Sequence, residues 1–360
     1  MPRPIQVRID LAALRHNYLV AKERAASQGN SPKAWAVVKA DAYGHGLMRA
    51  AKALEDIADG FALLELDAAV KLRDAGLRQP ILLLEGFFER DDLDVCAEYG
   101  LIPCIHRVEQ LQMIREARLP VRLPVYLKFN TGMNRLGFTP SQLPALKHEL
   151  GLSTALGQIT LMTHFAEADG GSGVDWQLER FARMSEGWTC PVSMANSGAI
   201  LRHPQTAYDW VRPGIMLYGG SPFVDATAAS YGLKPVMTMT SRILAVQEID
   251  VGERVGYGGA FTAERPTRVG IAACGYADGY PRHAPGGTPI LVGGKRTQTL
   301  GRVSMDMLAC DLTDLPETGV DSEVVLWGEG LPAEEVAASA GTICYELFCA
   351  LARRVPVAEV

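Results

Sequence analysis

At 360 residues, with 48% hydrophobic and 21% charged, the chain is long and apolar enough for a large domain and a smaller companion, which excludes a disordered polypeptide. A net charge of −6 offers no basic footprint for nucleic acid, and no apolar run reaches the ~18 residues needed to cross a bilayer. Cys96, Cys104, Cys190, Cys274, Cys310, Cys344 and Cys349 are scattered, odd in number and without a CxxC pair, so reduced thiols are expected rather than a disulfide framework or a metal site.

The opening "MPRPIQVRIDLAALRHN" has basic residues but no apolar signal core, so a cytoplasmic location is expected. "LAALRHNYLVAKERA" reads as a helix. After it, β-type runs recur at 34–40, 60–66, 80–86, 101–106, 124–130, 159–165, 191–197 and 210–219, separated by helical segments such as "LMRAAKALE", "LDAAVKLRDAG", "VEQLQMIREAR" and "DWQLERFARMSEGW". Several runs are continuously apolar, as parallel strands covered on both faces must be. Eight strand–helix units argue for an α/β fold with an N-terminal (β/α)8 TIM-type barrel, although a doubly wound open sheet gives a similar string. Near Lys234 the pattern changes to strand-like segments punctuated by Gly and Pro, followed by a helical end. The expected domains are a barrel over 1–233 and a mainly β C-terminal domain over 234–360.

A barrel of this kind carries its chemistry where strands end and βα loops begin. Lys39 closes the first strand, Lys128 the fifth with Arg135 just beyond, His164 the sixth, Asn196 and Ser197 the seventh, and Arg212 lies in the eighth just before Gly214. A strand-end lysine usually only carries its ammonium to water. Held in a partly apolar pocket, the same amine loses its proton more readily and attacks a carbonyl. Ser197, with the amides of "RPGIMLYGG", suits a phosphate, though capping and a simple turn explain either feature alone. Together these features point to a phosphorylated carbonyl compound, with pyridoxal phosphate the leading candidate.

The segments "AVVKADAYGHG", "KFNTGMNRLGF", "THFAEAD", "MANSGAI", "VRPGIMLYG", "VGYGGAFT", "GYADGYPR" and "GRVSMDM" occur in this order and resemble alanine racemase over nearly the whole chain. The resemblance implies a pyridoxal 5'-phosphate enzyme that interconverts L- and D-alanine as a head-to-tail homodimer with composite sites. It implies Lys39 as the Schiff-base lysine and one catalytic base, and Tyr257, supplied by the second subunit, as the other. Tyr43, Ser197, Gly214, Ile215 and Tyr345 are the implied phosphate contacts, with Asn196 beside them among the cofactor-binding positions. The resemblance also implies that Arg212 faces the pyridine nitrogen and that His164 packs on the ring and bonds that arginine. Arg135 and the Met305 backbone are the implied contacts of the substrate carboxylate. Lys128 matches a lysine carbamylated in some members. Tyr276, Arg282, Arg302 and Ile343 resemble positions lining the substrate entrance, His45 reads as a loop residue, and Asp306 as a brace for its own loop.

Racemisation needs a base on each face of Cα, and a phenol of ordinary pKa, about 10, needs cationic neighbours to serve as one. Three other readings compete. Barrel-type decarboxylases of this cofactor place an acid at the pyridine nitrogen, where this chain has Arg212. Broader racemases acting on serine or lysine tend to be exported. A non-catalytic pyridoxal phosphate binding protein resembles the barrel alone and lacks the β domain that carries Tyr257 and Met305.

Overall fold

Ala34–Val37 and Phe61–Leu63 bury every side chain, as strands covered on both faces do. In a computed structural model, which describes residues 3–26 and 31–360, eight strands close into a barrel. They are Lys33–Val37, Gly60–Leu63, Ile81–Leu83, Leu101–Ile105, Leu123–Lys128, Leu156–Met162, Val192–Asn196 and Trp210–Arg212. Neighbours run parallel throughout, and Lys33 opposite Trp210 with Ala34 opposite Val211 completes the ring. An open doubly wound sheet has no such pairing of first strand with last, so the barrel alternative holds.

Helices fill the connections, and their sequences show why. In Asp175–Met184, Gln177, Phe181 and Met184 recur at helical spacing and are buried, while Glu179 and Arg183 face solvent. The barrel interior is filled by large side chains. Trp35 stacks on Trp210 with ring centroids 4.2 Å apart, and its Nε1 donates to Tyr126 Oη at 2.9 Å. Burying an aromatic of this size contributes about 4–6 kcal/mol of gross transfer free energy. Gly60, opposite Trp35 in the register, makes the room: a Cβ there would lie 2.4 Å from Trp35 Cζ3.

The barrel unit comprises Arg15–Ala42 and Gly46–Leu217; the other described residues form a second unit, chiefly Tyr218–Val360 with Tyr43–His45 and the N-terminal segment through Leu14. Its sheet runs in the order Thr267–Ala272, Leu308–Asp311, Lys295–Leu300, Pro289–Val292, Glu323–Trp327, Met237–Ile249, Gln6–Ile9, Val357–Glu359. Met237–Ile249 spans 13 residues, shifts register beside Met239 and Ile243, and so also reaches Thr267–Ala272, closing six strands on themselves. Gln6–Ile9 pairs antiparallel with Met237–Thr240 and parallel with Val357–Glu359. A boundary between residues 233 and 234 therefore separates this strand from the sheet it joins. The helical end expected of the sequence is two short helices, Ala333–Ala340 and Cys344–Cys349, whose buried faces include Val336, Leu347 and Phe348. Among the described residues no helix is long and apolar enough to cross a membrane.

Candidate active site

Lys128 is the last residue of the fifth barrel strand, Asn196 of the seventh and Arg212 of the eighth, while His164 lies two residues beyond the sixth. Lys39 differs slightly from expectation: the first strand stops at Val37, and Lys39 opens a helical turn, Lys39–Tyr43. In that turn Ala40, Asp41, Ala42 and Tyr43 have φ between 52° and 55°, so it is left-handed. L-residues pay about 1–2 kcal/mol each for this conformation. Local bonds hold it in place: Ala42 N donates to Val38 O at 2.9 Å, Gly46 N to Asp41 O at 2.8 Å, and Leu47 N to Asp41 Oδ1 at 2.7 Å. Strain of this kind, in the turn that Lys39 opens, is retained only where the surroundings over-determine it.

Arg212 is buried yet held by neutral acceptors. Its Nη1 donates to Ser193 Oγ at 2.8 Å, and its Nη2 to Thr163 O at 2.7 Å and Met194 O at 3.0 Å. Burial pushes its pKa down to about 10, which leaves it a cation at neutral pH. Burial also holds His164 well below the ordinary histidine value, and Arg212, Lys128, Arg135 and Lys39 push it the same way. Lys128 is lowered by burial first and then by Arg212, Arg135 and Lys39, against an opposing influence from Cys104. The barrel mouth is therefore a cluster of cations around a neutral imidazole, an environment that favours bound anions.

The loop after the fifth strand presents Arg135. Phe129 and Phe138 form a bridge that closes it, and Asn130 Oδ1 accepts from Gly132 N at 3.1 Å and Asn134 N at 3.0 Å. After the seventh strand, Asn196 rather than Ser197 caps the following helix, accepting from Ala199 N at 3.0 Å. Ser197 Oγ is thereby left for the neighbouring loop, where it accepts from Gly214 N at 2.9 Å and lies 3.4 Å from Met216 N. Ile215 follows, buried, at the start of a short 3-10 turn.

The remaining expected site residues lie in the β unit. Tyr43 stacks on Tyr218 at 4.8 Å and lies 6.0 Å from the Tyr345 ring; burial pushes the Tyr43 phenol well above its ordinary value, so it stays protonated. Tyr257 opens the turn Tyr257–Gly259 and is 70% exposed. Arg302 lies against that turn, since a Cβ on Gly258 would sit 3.3 Å from Arg302 Nη1. Met305 is 53% exposed, and the Tyr276 turn touches its loop through Tyr276 N to Ser304 O at 3.1 Å and Ala277 N to Met305 O at 3.0 Å. Arg282 and Ile343 are exposed.

One supporting residue escapes sequence reading. Gln177 is fully buried; its Nε2 donates to Thr131 Oγ1 at 2.8 Å and to His164 O at 3.1 Å, and its Oε1 accepts from Ala166 N at 2.7 Å. Thr131 Oγ1 bonds Thr163 Oγ1 at 2.7 Å, so one amide ties the Arg135 loop to the His164 segment. The available signal is a glutamine on the apolar face of "DWQLERFARM".

The alanine racemase N-terminal domain family matches residues 9–222, and the alanine racemase C-terminal domain family matches 236–358. An alanine racemase of Nitrosospira multiformis is 54% identical over 357 residues, covering 98% of this chain and 99% of the relative. The crystal structure of a biosynthetic alanine racemase from Pseudomonas aeruginosa superposes with a TM-score of 0.95 at 46% identity, covering 99% of both chains. An alanine racemase from Bartonella henselae with covalently bound pyridoxal phosphate superposes with a TM-score of 0.87 at 28% identity, covering 100% of both chains.

Proposed function

The chain belongs to the alanine racemase family, and from that premise we propose that it interconverts L- and D-alanine with pyridoxal phosphate held at the barrel mouth, each site being completed by a second copy of the chain. The observation that carries this reading is the cation cluster at the barrel mouth, where Arg212, Lys128, Arg135 and Lys39 all act on His164. It suits a phosphate and a substrate carboxylate.

Pyridoxal phosphate fits the residues present. Lys39 offers the amine for its aldehyde carbon. Ser197 Oγ and the Gly214 amide, 2.9 Å apart, mark a polar pair for the phosphate, with Ile215 beside them. The protonated phenol of Tyr43, with Tyr345 as its neighbour, suits a further donor to that phosphate. His164, neutral, suits packing on the ring, and the relative from Bartonella henselae carries the same cofactor covalently. When bound, the cofactor supplies an electron-poor ring that takes up the electron pair left when Cα loses its proton.

The chain's own residues then hold the substrate and move protons. Arg135 and the Met305 amide of the second copy orient the carboxylate, leaving Cα between two bases. Lys39 Nζ takes the proton from D-alanine on one face while Tyr257 Oη delivers one on the other; for L-alanine the roles reverse. One turnover therefore leaves the pair set for the opposite conversion until solvent exchange resets it. Arg212 remains a guanidinium at neutral pH, so it would hold the ring nitrogen as a hydrogen-bond donor and would not protonate it. The exposure of Tyr257 and Met305 in a single chain supports their use by a second one. L- and D-alanine have equal free energy, so cellular demand sets the net direction.

The test mixes Lys39→Ala and Tyr257→Phe proteins. Each alone should lose about 10²–10⁴-fold in kcat. After subunit exchange, roughly a quarter of wild-type activity should return, because half the dimers are hybrids and each hybrid has one intact site of two. Proven exchange without recovered activity would refute the composite site.

A further inference from the structure

We propose that Asp278 is a positioning residue: acting with Arg3, Arg354 and Asp306, it aims the Met305 amide that binds the substrate carboxylate. The inference rests on the reading of Met305 as a carboxylate contact and concerns what sets that contact's geometry.

Asp278 sits on the one-turn helix Tyr276–Asp278, and its side chain is 0% exposed. Its Oδ1 accepts from Arg3 Nη1 and from Arg354 Nε, both at 2.8 Å, and its Oδ2 accepts from Gly275 N at 3.0 Å. The same two arginines reach the residue after Met305. Arg3 Nη2 donates to Asp306 O at 2.6 Å, and Arg354 Nη2 to Asp306 Oδ1 at 2.5 Å. One arginine comes from near the start of the sequence and the other from near its end, and the two converge on one carboxylate oxygen. Without the Asp278 charge they would repel each other, and the bridge to Asp306 would loosen.

The turn that carries Asp278 also grips the loop directly. Tyr276 N donates to Ser304 O at 3.1 Å and Ala277 N to Met305 O at 3.0 Å, while Ser304 N donates to Met307 O at 2.9 Å. Ser304 C=O and Met305 N–H share one planar trans peptide and point in opposite directions. Fixing Ser304 O on the Asp278 turn therefore fixes the direction of the Met305 N–H. Contact is close enough to demand glycine at 275: a Cβ there would lie 2.3 Å from both Ser304 O and Met305 O. Asp306 thus does more than brace its own loop, since it ties the Met305 peptide to the buried carboxylate.

The experiment compares Asp278→Asn, Arg354→Met and Gly275→Ala holoenzymes, reading kcat, KM for L-alanine, Ki for propionate as a bare carboxylate probe, the visible cofactor band and the dimer mass. A contact made equally in ground and transition states appears in KM, so Asp278→Asn should raise KM and propionate Ki together, about tenfold, with kcat within about threefold. The cofactor band and dimer mass should not change. Arg354→Met removes the bond to the Asp306 carboxylate and leaves only Arg3 bridging Asp278 to Asp306 O, so its effect should be in the same direction and smaller, and it carries the test if Asp278→Asn does not fold. Gly275→Ala moves the loop without touching a charge and separates two kinds of failure. If it raises KM and Ki while the charge variants do not, the loop binds the carboxylate without help from Asp278, and the proposal is overturned. If none of the three moves KM or Ki in an intact dimer, the Met305 reading falls and the proposal falls with it. A parallel loss of kcat and cofactor band would mark a merely structural role and also overturn it.

Discussion

Ala40→Gly is the sharpest probe of the backbone that follows Lys39. Ala40 is exposed and has φ 53°, so the substitution removes no packing and changes only conformational preference. Alanine in the left-handed region costs about 1–2 kcal/mol, which glycine escapes almost entirely. Glycine also widens the unfolded ensemble, which offsets about 0.5–1 kcal/mol of that gain. The net expectation is a variant more stable by about 0.5–1 kcal/mol. In a right-handed helix the same change would destabilise by about 1 kcal/mol, so the sign alone distinguishes the two geometries. Urea unfolding followed by tryptophan fluorescence reports the barrel through Trp35 and Trp210, whose rings stack inside it. Asp41→Gly is the control, expected to gain less because it removes the carboxylate that accepts from Leu47 N. A fall of about 1 kcal/mol for Ala40→Gly would refute the left-handed turn.

Two further outcomes are expected. His164 is held below its ordinary value by burial and four cations, so below pH 6.5 the unfolded chain binds a proton that the native state refuses. Stability should therefore fall as pH drops through 6.5, with a slope approaching about 1.4 kcal/mol per unit, and His164→Gln should flatten it in denaturant titrations between pH 7 and 5; an unchanged slope would assign the effect elsewhere. Lys128, buried among Arg212, Arg135 and Lys39, is expected to react with dissolved carbon dioxide, releasing a proton and leaving a carbamate that attracts Arg135. A high-resolution map should show the added carboxylate on Nζ, and a bare ammonium there would count against it.

The barrel is legible in the sequence because its strands are short, wholly apolar runs such as "AWAVV" and "ILLL", each followed by a helical period. Candidate site residues fall at or just beyond strand ends, where a barrel gathers them, which brings Lys128, His164, Asn196 and Arg212 into view from the sequence alone. What stays hidden depends on partners distant in sequence or on handedness. The left-handed turn at "ADAY" is not readable from the sequence, since composition does not report the sign of φ. The helix cap belongs to Asn196 because Ser197 turns to the Gly214 amide, a choice made by the loop after the next strand. Asp278 meets Arg3 and Arg354 only once the sheet has formed, so its role is absent from "GYADGYPR" read alone. The four residues of Gln6–Ile9 alternate inward and outward, but a run that short carries too little pattern to declare a strand.

That strand orders events during synthesis. Gln6–Ile9 emerges from the ribosome early, whereas the segments it pairs with, Met237–Thr240 and Val357–Glu359, emerge long afterwards. Each barrel strand after the first finds its predecessor already made, so that unit can assemble nearly in step with elongation. The β unit must instead wait with one strand unpaired, a bare edge open to wrong partners until the late segments arrive. A nascent chain stalled before residue 357 should thus carry a finished barrel and an unfinished sheet, and chaperone dependence should concentrate in that interval.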